Sequence, residues 1–471
     1  MVRGFGEVWA PLPFQEKAVQ YLLEHPCAGL LLDPGWGKTS CTLEAFRALK
    51  EKGVAKRMLV VAPLRACWLV WPLEVQKWAR FAGLSYKVLH GKDKERRMYE
   101  TTDITCVNLE GLDWLLGKKE TVSSFGIRKV GADTRRLQSF GFDTLVFDEL
   151  SKFKHVNTQR FKLIKHVLRL FRRRWGLTGS PASNGLMDLF GQAFVLDEGR
   201  TFGPYITHYR AKYFTPSYNG FDWNLRPGAE AEIYERARPL FLRPEAGDYL
   251  KLPELFLHDI RVELPPVARK VYSDMEDELL ASVKDNEVTA ANMGAASNKC
   301  RQIANGAVYD ADSQVLPVHD AKLDALEELL EELQGQPLLV AYEFRHDLER
   351  LLKRFKNPPF LGGGVSTQKA DQIVEAWNRG EIPLLLAQPM SVGHGLNLQG
   401  SCRNVCWFGL TWDYEIYDQF NRRVLRQGNA ASHVFIHRIL AKGTLDERVA
   451  ELLAKKQNVQ KALFEGLQND S

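Results

Sequence analysis

The stretch Gly35-Trp36-Gly37-Lys38-Thr39 brings together the residue types that phosphate chemistry needs, at the spacing it needs. Glycines let backbone N–H groups approach an anion, and a helix N-terminus behind them favours negative charge. A lysine can then reach terminal phosphates and a threonine hydroxyl can ligate magnesium. The apolar run GLLLD (29–33) before the turn reads as a strand and SCTLEAFRALK (40–50) after it as a helix, the setting such a loop requires. The strict pattern GxxxxGK[ST] fails at its first glycine, where Leu32 stands.

A second chemical element follows about 110 residues later. TLVFDEL (144–150) is an apolar β run ending in two acids, suited to Asp148 holding magnesium and Glu149 polarising an attacking water. The ordinary alternative, a strand followed by an exposed acidic turn, is the weaker reading behind a phosphate loop. Arg423 and Arg426 lie three apart in QFNRRVLRQGN (419–429), so on a helix both guanidinium groups share one face. Cations of this kind, reaching a γ-phosphate, are worth roughly 10³–10⁵ in rate; the alternative is a surface salt-bridge helix.

The elements that must position these groups follow from periodicity. GLLLD (29–33), MLVVA (58–62), ITCV (104–107), DTLVF (143–147) and RWGL (174–177) read as strands alternating with amphipathic helices, which means a parallel sheet with helices on its faces. The alternation breaks between 192 and 318, where aromatics, Pro and Gly precede a helical stretch, VARKVYSDMEDELLASVK. It resumes with PLLVAYE (337–343), PFLGG (359–363), PLLLAQ (383–388), NVCWFG (404–409) and HVFIHRI (433–439). The expected fold is α/β: a first lobe over 1–191, a largely helical insertion over 192–318, and a second lobe over 319–471.

A chain of 471 residues, 45% apolar and 26% charged, has the composition of an ordinary globular protein of about three structural units. No apolar run approaches the roughly 18 residues of a membrane span, and no signal-peptide pattern opens the chain, so an intracellular, cytoplasmic location without a membrane partner is expected. Seven scattered cysteines with no CxxC pair argue against both a disulfide framework and zinc. Residues 1–190 hold 31 Lys and Arg against 19 Asp and Glu, while the remainder holds 32 against 39. A basic first part suggests a polyanionic partner, and the run 151–175 carries nine Lys or Arg and no acid. That run reads equally well as a solvated helix face.

With these elements placed, nearly the whole chain resembles the Swi/Snf family of superfamily-two helicase-like ATPases, in the compact form of prokaryotic and phage-encoded members. PLPFQ looks like its Q element, VVAPLRACWLVWPLEVQKW (60–78) like motif Ia, DELSKFKH like motif II, and GLTGSPASNGLMDLF (176–190) like motif III. In the second part LLVAYEF resembles motif IV, SVGHGLNLQ (391–399) motif V, and the segment with Arg423 and Arg426 motif VI. The sequence departs from the family at Ser151, often histidine, at Asp33-Pro34, and at Val392, where glycine is usual.

The resemblance implies two RecA-like lobes that close on ATP and Mg2+. Gln15 would read adenine; Gly35, Gly37, Lys38, Thr39 and Gly395 would bind ATP; Thr39 and Asp148 would hold the metal. Lys38, Asp148, Glu149, Arg423 and Arg426 would act in hydrolysis, and Thr178 and Ser180 would couple it to lobe movement. Pro63, Lys152, Lys154 and Asn397 would face double-stranded DNA. The implied activity is translocation along duplex DNA without thorough unwinding, displacing bound proteins, by a monomer that a partner protein could recruit. Two other functions fit the same residues: a strand-separating or annealing helicase on DNA forks or RNA, and a nucleotide-switched binding module with weak hydrolysis.

Overall fold

A computed structural model describes residues 6–467, apart from 118, 123–127, 218–222, 245–252, 285–289, 393–395, 401, 426–428 and 430. Its contacts divide the chain into two compact units, residues 1–249 together with 456–471, and residues 250–455.

The first unit is built on seven parallel strands in the order Phe241–Leu242, Cys27–Leu31, Arg173–Thr178, Thr144–Asp148, Met58–Ala62, Ile104–Asn108 and Tyr86–Val88. Met58–Ala62, Ile104–Asn108 and Thr144–Asp148 are buried at every residue. Helices cover both faces of such a sheet, so its strands read as unbroken apolar runs. One of the covering clusters joins Leu145 and Phe147 of the sheet to Phe153, Phe161, Ile164, Phe190 and Phe194.

The basic run 151–175 therefore has two faces. Phe161, Leu163, Ile164, Val167 and Leu168 are buried, while Lys162, Lys165, Arg169 and Arg172 are exposed. Arg174 is buried, donating to the carbonyls of Leu168 and Leu196 and to Glu198.

The second unit holds six parallel strands in the order Glu254–Val262, His433–Ala441, Asn404–Trp407, Leu338–Ala341, Leu384–Ala387 and Phe360–Leu361. Cys402 and Cys406 are buried, the latter in strand Asn404–Trp407, and burial pushes both thiols up.

The segment expected as a largely helical insertion differs from that reading in one respect. It contains the helices Pro266–Lys284 and Ala290–Asn305, but it also gives Phe241–Leu242 to the first sheet and Glu254–Val262 to the second. Each of these strands pairs with a residue run about 200 positions away. Such pairing leaves no local periodicity to read. Tyr209, Tyr213 and Phe214 of its aromatic cluster pack into the first core, whereas Tyr218 and Phe221 lie outside the described residues. No helix among the described residues is long and apolar enough to cross a membrane.

Candidate active site

Three neighbouring strands of the first sheet deliver the candidate chemistry to one edge. Leu31 is in register with Thr178, and Leu177 with Asp148, so the phosphate loop, the segment after Thr178 and the Asp148-Glu149 pair all leave from C-terminal strand ends. This edge is where open parallel sheets bind ligands.

The loop itself is shaped by Gly35 and Gly37, at φ +88° and +79°, a region that costs an L-residue strain. Gly37 caps helix Lys38–Glu51, whose first N–H groups have no partner within the helix. A Cβ at Gly37 would come within 2.4 Å of Gln15 Nε2. Gln15 binds the loop from outside: its Nε2 donates to the Trp36 carbonyl at 3.0 Å, while its Oε1 accepts from Leu12 N–H at 2.9 Å. The Lys38 ammonium donates to the Leu32 carbonyl at 2.9 Å, and Thr39 is buried in the first turn.

Asp148 is buried, and Trp71 donates its indole N–H to Asp148 Oδ2 at 2.9 Å. Burial first, and the neighbouring Glu149 charge second, push the Asp148 carboxyl up to about 6, against the opposing pull of Trp71 and Lys38. A buried carboxylate and a threonine hydroxyl are hard oxygen donors, few in number. Magnesium fits such a set, since it takes one or two protein oxygens and completes its shell with phosphate oxygens and water. Glu149 is half-buried and adopts left-handed backbone geometry, φ 66° and ψ 63°.

The segment after strand Arg173–Thr178 lies beside the loop. A Cβ at Gly179 would meet Pro34 Cδ at 3.1 Å, and Thr178 Oγ1 accepts from Ser180 N–H at 3.1 Å, with both side chains buried. Lys154 reaches this segment too, donating to Ser183 Oγ at 2.9 Å and pairing with Asp188 at 3.7 Å. Its ammonium thus joins the stretch after Glu149 to the stretch after Thr178, an internal role that the sequence did not suggest. Lys152 is half-buried, and Pro63 is half-buried just past the end of strand Met58–Ala62.

In the second unit Arg423 is buried and donates to the Leu396 carbonyl at 3.3 Å. It follows helix Tyr414–Asn421 instead of lying within it. The side chain of Asn397 is exposed, and its carbonyl accepts from Asn378 at 2.9 Å. Gly395 and Arg426 lie outside the described residues.

Sequence reasoning missed two residues here, Trp71 and Arg243. Trp71 follows a π-helical turn, Ala66–Val70, whose extra residue per turn changes which side chain faces inward. Arg243 binds Asp33 just before the loop. Neither has a local signal, because each acts on residues about 80 or more positions away.

Comparison with known proteins gives two family matches, an SNF2-related domain over residues 14–308 and a helicase conserved C-terminal domain over 321–428. The chain is 34% identical to a phage protein, "Putative protein p41" of Acyrthosiphon pisum secondary endosymbiont phage 1, covering 98% of this chain and 99% of that one. It is 25% identical to the "Putative ATP-dependent helicase/translocase YwqA" of Bacillus subtilis, over 95% of this chain and 48% of the relative. It is also 24% identical to mouse "DNA annealing helicase and endonuclease ZRANB3", over 97% of this chain and 41% of the relative. The chain thus spans less than half the length of these last two proteins.

Proposed function

The chain belongs to the SNF2-related family, and from that premise we propose that it is an ATP-driven translocase on double-stranded DNA that moves without thorough unwinding and displaces bound proteins. The observation that carries this reading is the shared sheet edge, where a lysine-bearing glycine loop and the Asp148-Glu149 pair emerge from strands on either side of Arg173–Thr178. Lys38 and the loop N–H groups bind the phosphates, Gln15 the adenine, and Thr39 with Asp148 the magnesium ion, which when bound would neutralise charge on the transferred group. Glu149 orients the water. Gly395 belongs to the same ATP set, Arg423 and Arg426 of the second unit stabilise the transition state, and Thr178 and Ser180 couple turnover to movement.

On the nucleic-acid side the proposal assigns Pro63, Lys152 and Asn397 to the DNA backbone. Lys154 belongs to the same DNA-facing set, while its ammonium also holds Ser183 and Asp188. Neutralising Lys152 weakens duplex binding and, for one lost phosphate contact, reduces the slope of log affinity against log salt by about 0.9. An unchanged slope in Lys152→Ala would take that residue out of the interface.

The test of the whole reading is steady-state ATP hydrolysis by the full chain with no nucleic acid, duplex DNA, single-stranded DNA or RNA. Duplex-specific stimulation, followed by displacement of a triplex strand, is the expected result. Stimulation by single-stranded DNA or RNA alone would transfer the proposal to a strand-separating or annealing helicase, the annealing reading being the one in the name of the mouse relative. No stimulation by any of them would leave a nucleotide-switched binding module.

A further inference from the structure

Arg243 follows strand Phe241–Leu242, which pairs with Cys27–Leu31 beside the phosphate loop. Its side chain is nine-tenths buried. Nη1 donates to the Leu31 carbonyl and Nη2 to Asp33 Oδ2, each at 2.7 Å, so the guanidinium fastens the chain as it enters the loop. The same group lies over the ring of Trp36, within the loop, at 4.8 Å, and over the ring of Phe464 at 4.1 Å.

Phe464 belongs to helix Leu445–Leu467, whose residues from 456 onward are part of the first unit. That stretch of helix is tied to the segment after Thr178 as well. Lys456 donates to Asn184 Oδ1 at 2.9 Å and Gln460 to the Gly179 carbonyl at 3.3 Å, while Leu463 and Leu467 enter the first core.

Only a planar cation can donate in its plane to a carboxylate and a carbonyl while offering its faces to aromatic rings. The placement also has an electrostatic consequence. Asp33 puts a negative charge immediately before a loop that must accept phosphate, and Arg243 offsets it.

We propose that Arg243, backed by Phe464, is a positioning residue for the phosphate loop: it fixes Asp33 and Trp36 so that the backbone N–H groups of residues 35–38 keep the arrangement a nucleotide's phosphates require. This rests on the nucleotide reading of the loop. It adds a part for the C-terminal helix, in that residues distant in sequence set the affinity of the loop.

The test uses the full chain carrying Phe464→Leu, which keeps an apolar side chain against the core, or Arg243→Lys, which keeps the charge but loses the plane. Three readouts are followed: hydrogen exchange at the amides of residue 33 and residues 35–38, Pro34 having none, binding of a fluorescent ADP, and steady-state kinetics. Expected are a rise of about tenfold in exchange confined to 33–38, with strand Thr144–Asp148 unchanged, and a loss of about tenfold in ADP affinity. In steady state KM rises with kcat retained, a split that a general loss of stability would not produce. Unchanged exchange and affinity in both variants would overturn the proposal. If Arg243→Lys does not fold, Phe464→Leu decides alone. If the wild-type chain binds no ADP, the nucleotide reading fails, and exchange across 33–38 by itself decides whether Arg243 holds the loop.

Discussion

Replacing Glu149 by glutamine lowers ATP turnover by roughly 10²–10⁴-fold, the usual worth of a group that handles a proton in the transition state. ATP and duplex DNA binding are retained, because glutamine keeps the shape and hydrogen-bonding reach of the side chain and removes only its charge and basicity. The backbone supports assigning this role to Glu149 and not to its neighbour. Asp148 ends its strand in regular geometry, buried and engaged by Trp71, as a metal-side carboxylate would be. Glu149 turns into the left-handed region, where an L-residue costs about 1–2 kcal/mol. Strain of that size persists where the surrounding structure enforces it, commonly at a reacting centre. The measurement is single-turnover hydrolysis beside ADP and ATP affinity, with duplex DNA present. A normal rate in the variant would remove Glu149 from the chemistry and leave Asp148 as the only acid of the pair with a part in it.

The strands that carry the site were legible because each is a short apolar run buried in a parallel sheet. The apolar run MLVVA coincides with strand Met58–Ala62, and DTLVF and RWGL fall within a residue of strands Thr144–Asp148 and Arg173–Thr178. The loop glycines, Lys38, Thr39 and the Asp148-Glu149 pair were legible for a different reason, since their chemistry requires fixed neighbours in sequence. What stayed hidden depends on distant pairing. Phe241–Leu242 is too short to show a period, and Glu254–Val262 acquires its meaning from His433–Ala441. Composition alone left the run 151–175 open, and the structure divides it into a buried apolar face and an exposed basic one. Lys154 shows the same limit on a single residue: its charge suggested a phosphate contact, and its position gives it Ser183 and Asp188. Arg243 and Trp71 carried no sequence signal because their partners lie in other strands and loops.

Removing the Lys38 ammonium has an effect of comparable size and different character. Lys38→Ala is expected to lower kcat by roughly 10²–10³-fold, as for loss of one preorganised electrostatic group at a transition state, and to weaken ATP binding as well. The ammonium is placed by its bond to the Leu32 carbonyl, at the end of the loop opposite the helix it begins. Its field also acts on Asp148, whose carboxyl burial and Glu149 both push toward the neutral form. Loss of Lys38 therefore removes a cation from the phosphates and leaves two adjacent acids less compensated where a polyanion must bind. Arginine is not expected to restore the rate, because its broad planar head needs different partners from a compact ammonium. The comparison that decides is between the two variants. Glu149→Gln holds ATP and turns it over very slowly, whereas Lys38→Ala loses affinity together with turnover. Wild-type turnover in Lys38→Ala would mean that the phosphates lie elsewhere and that Gly35–Thr39 is only a strand-to-helix turn.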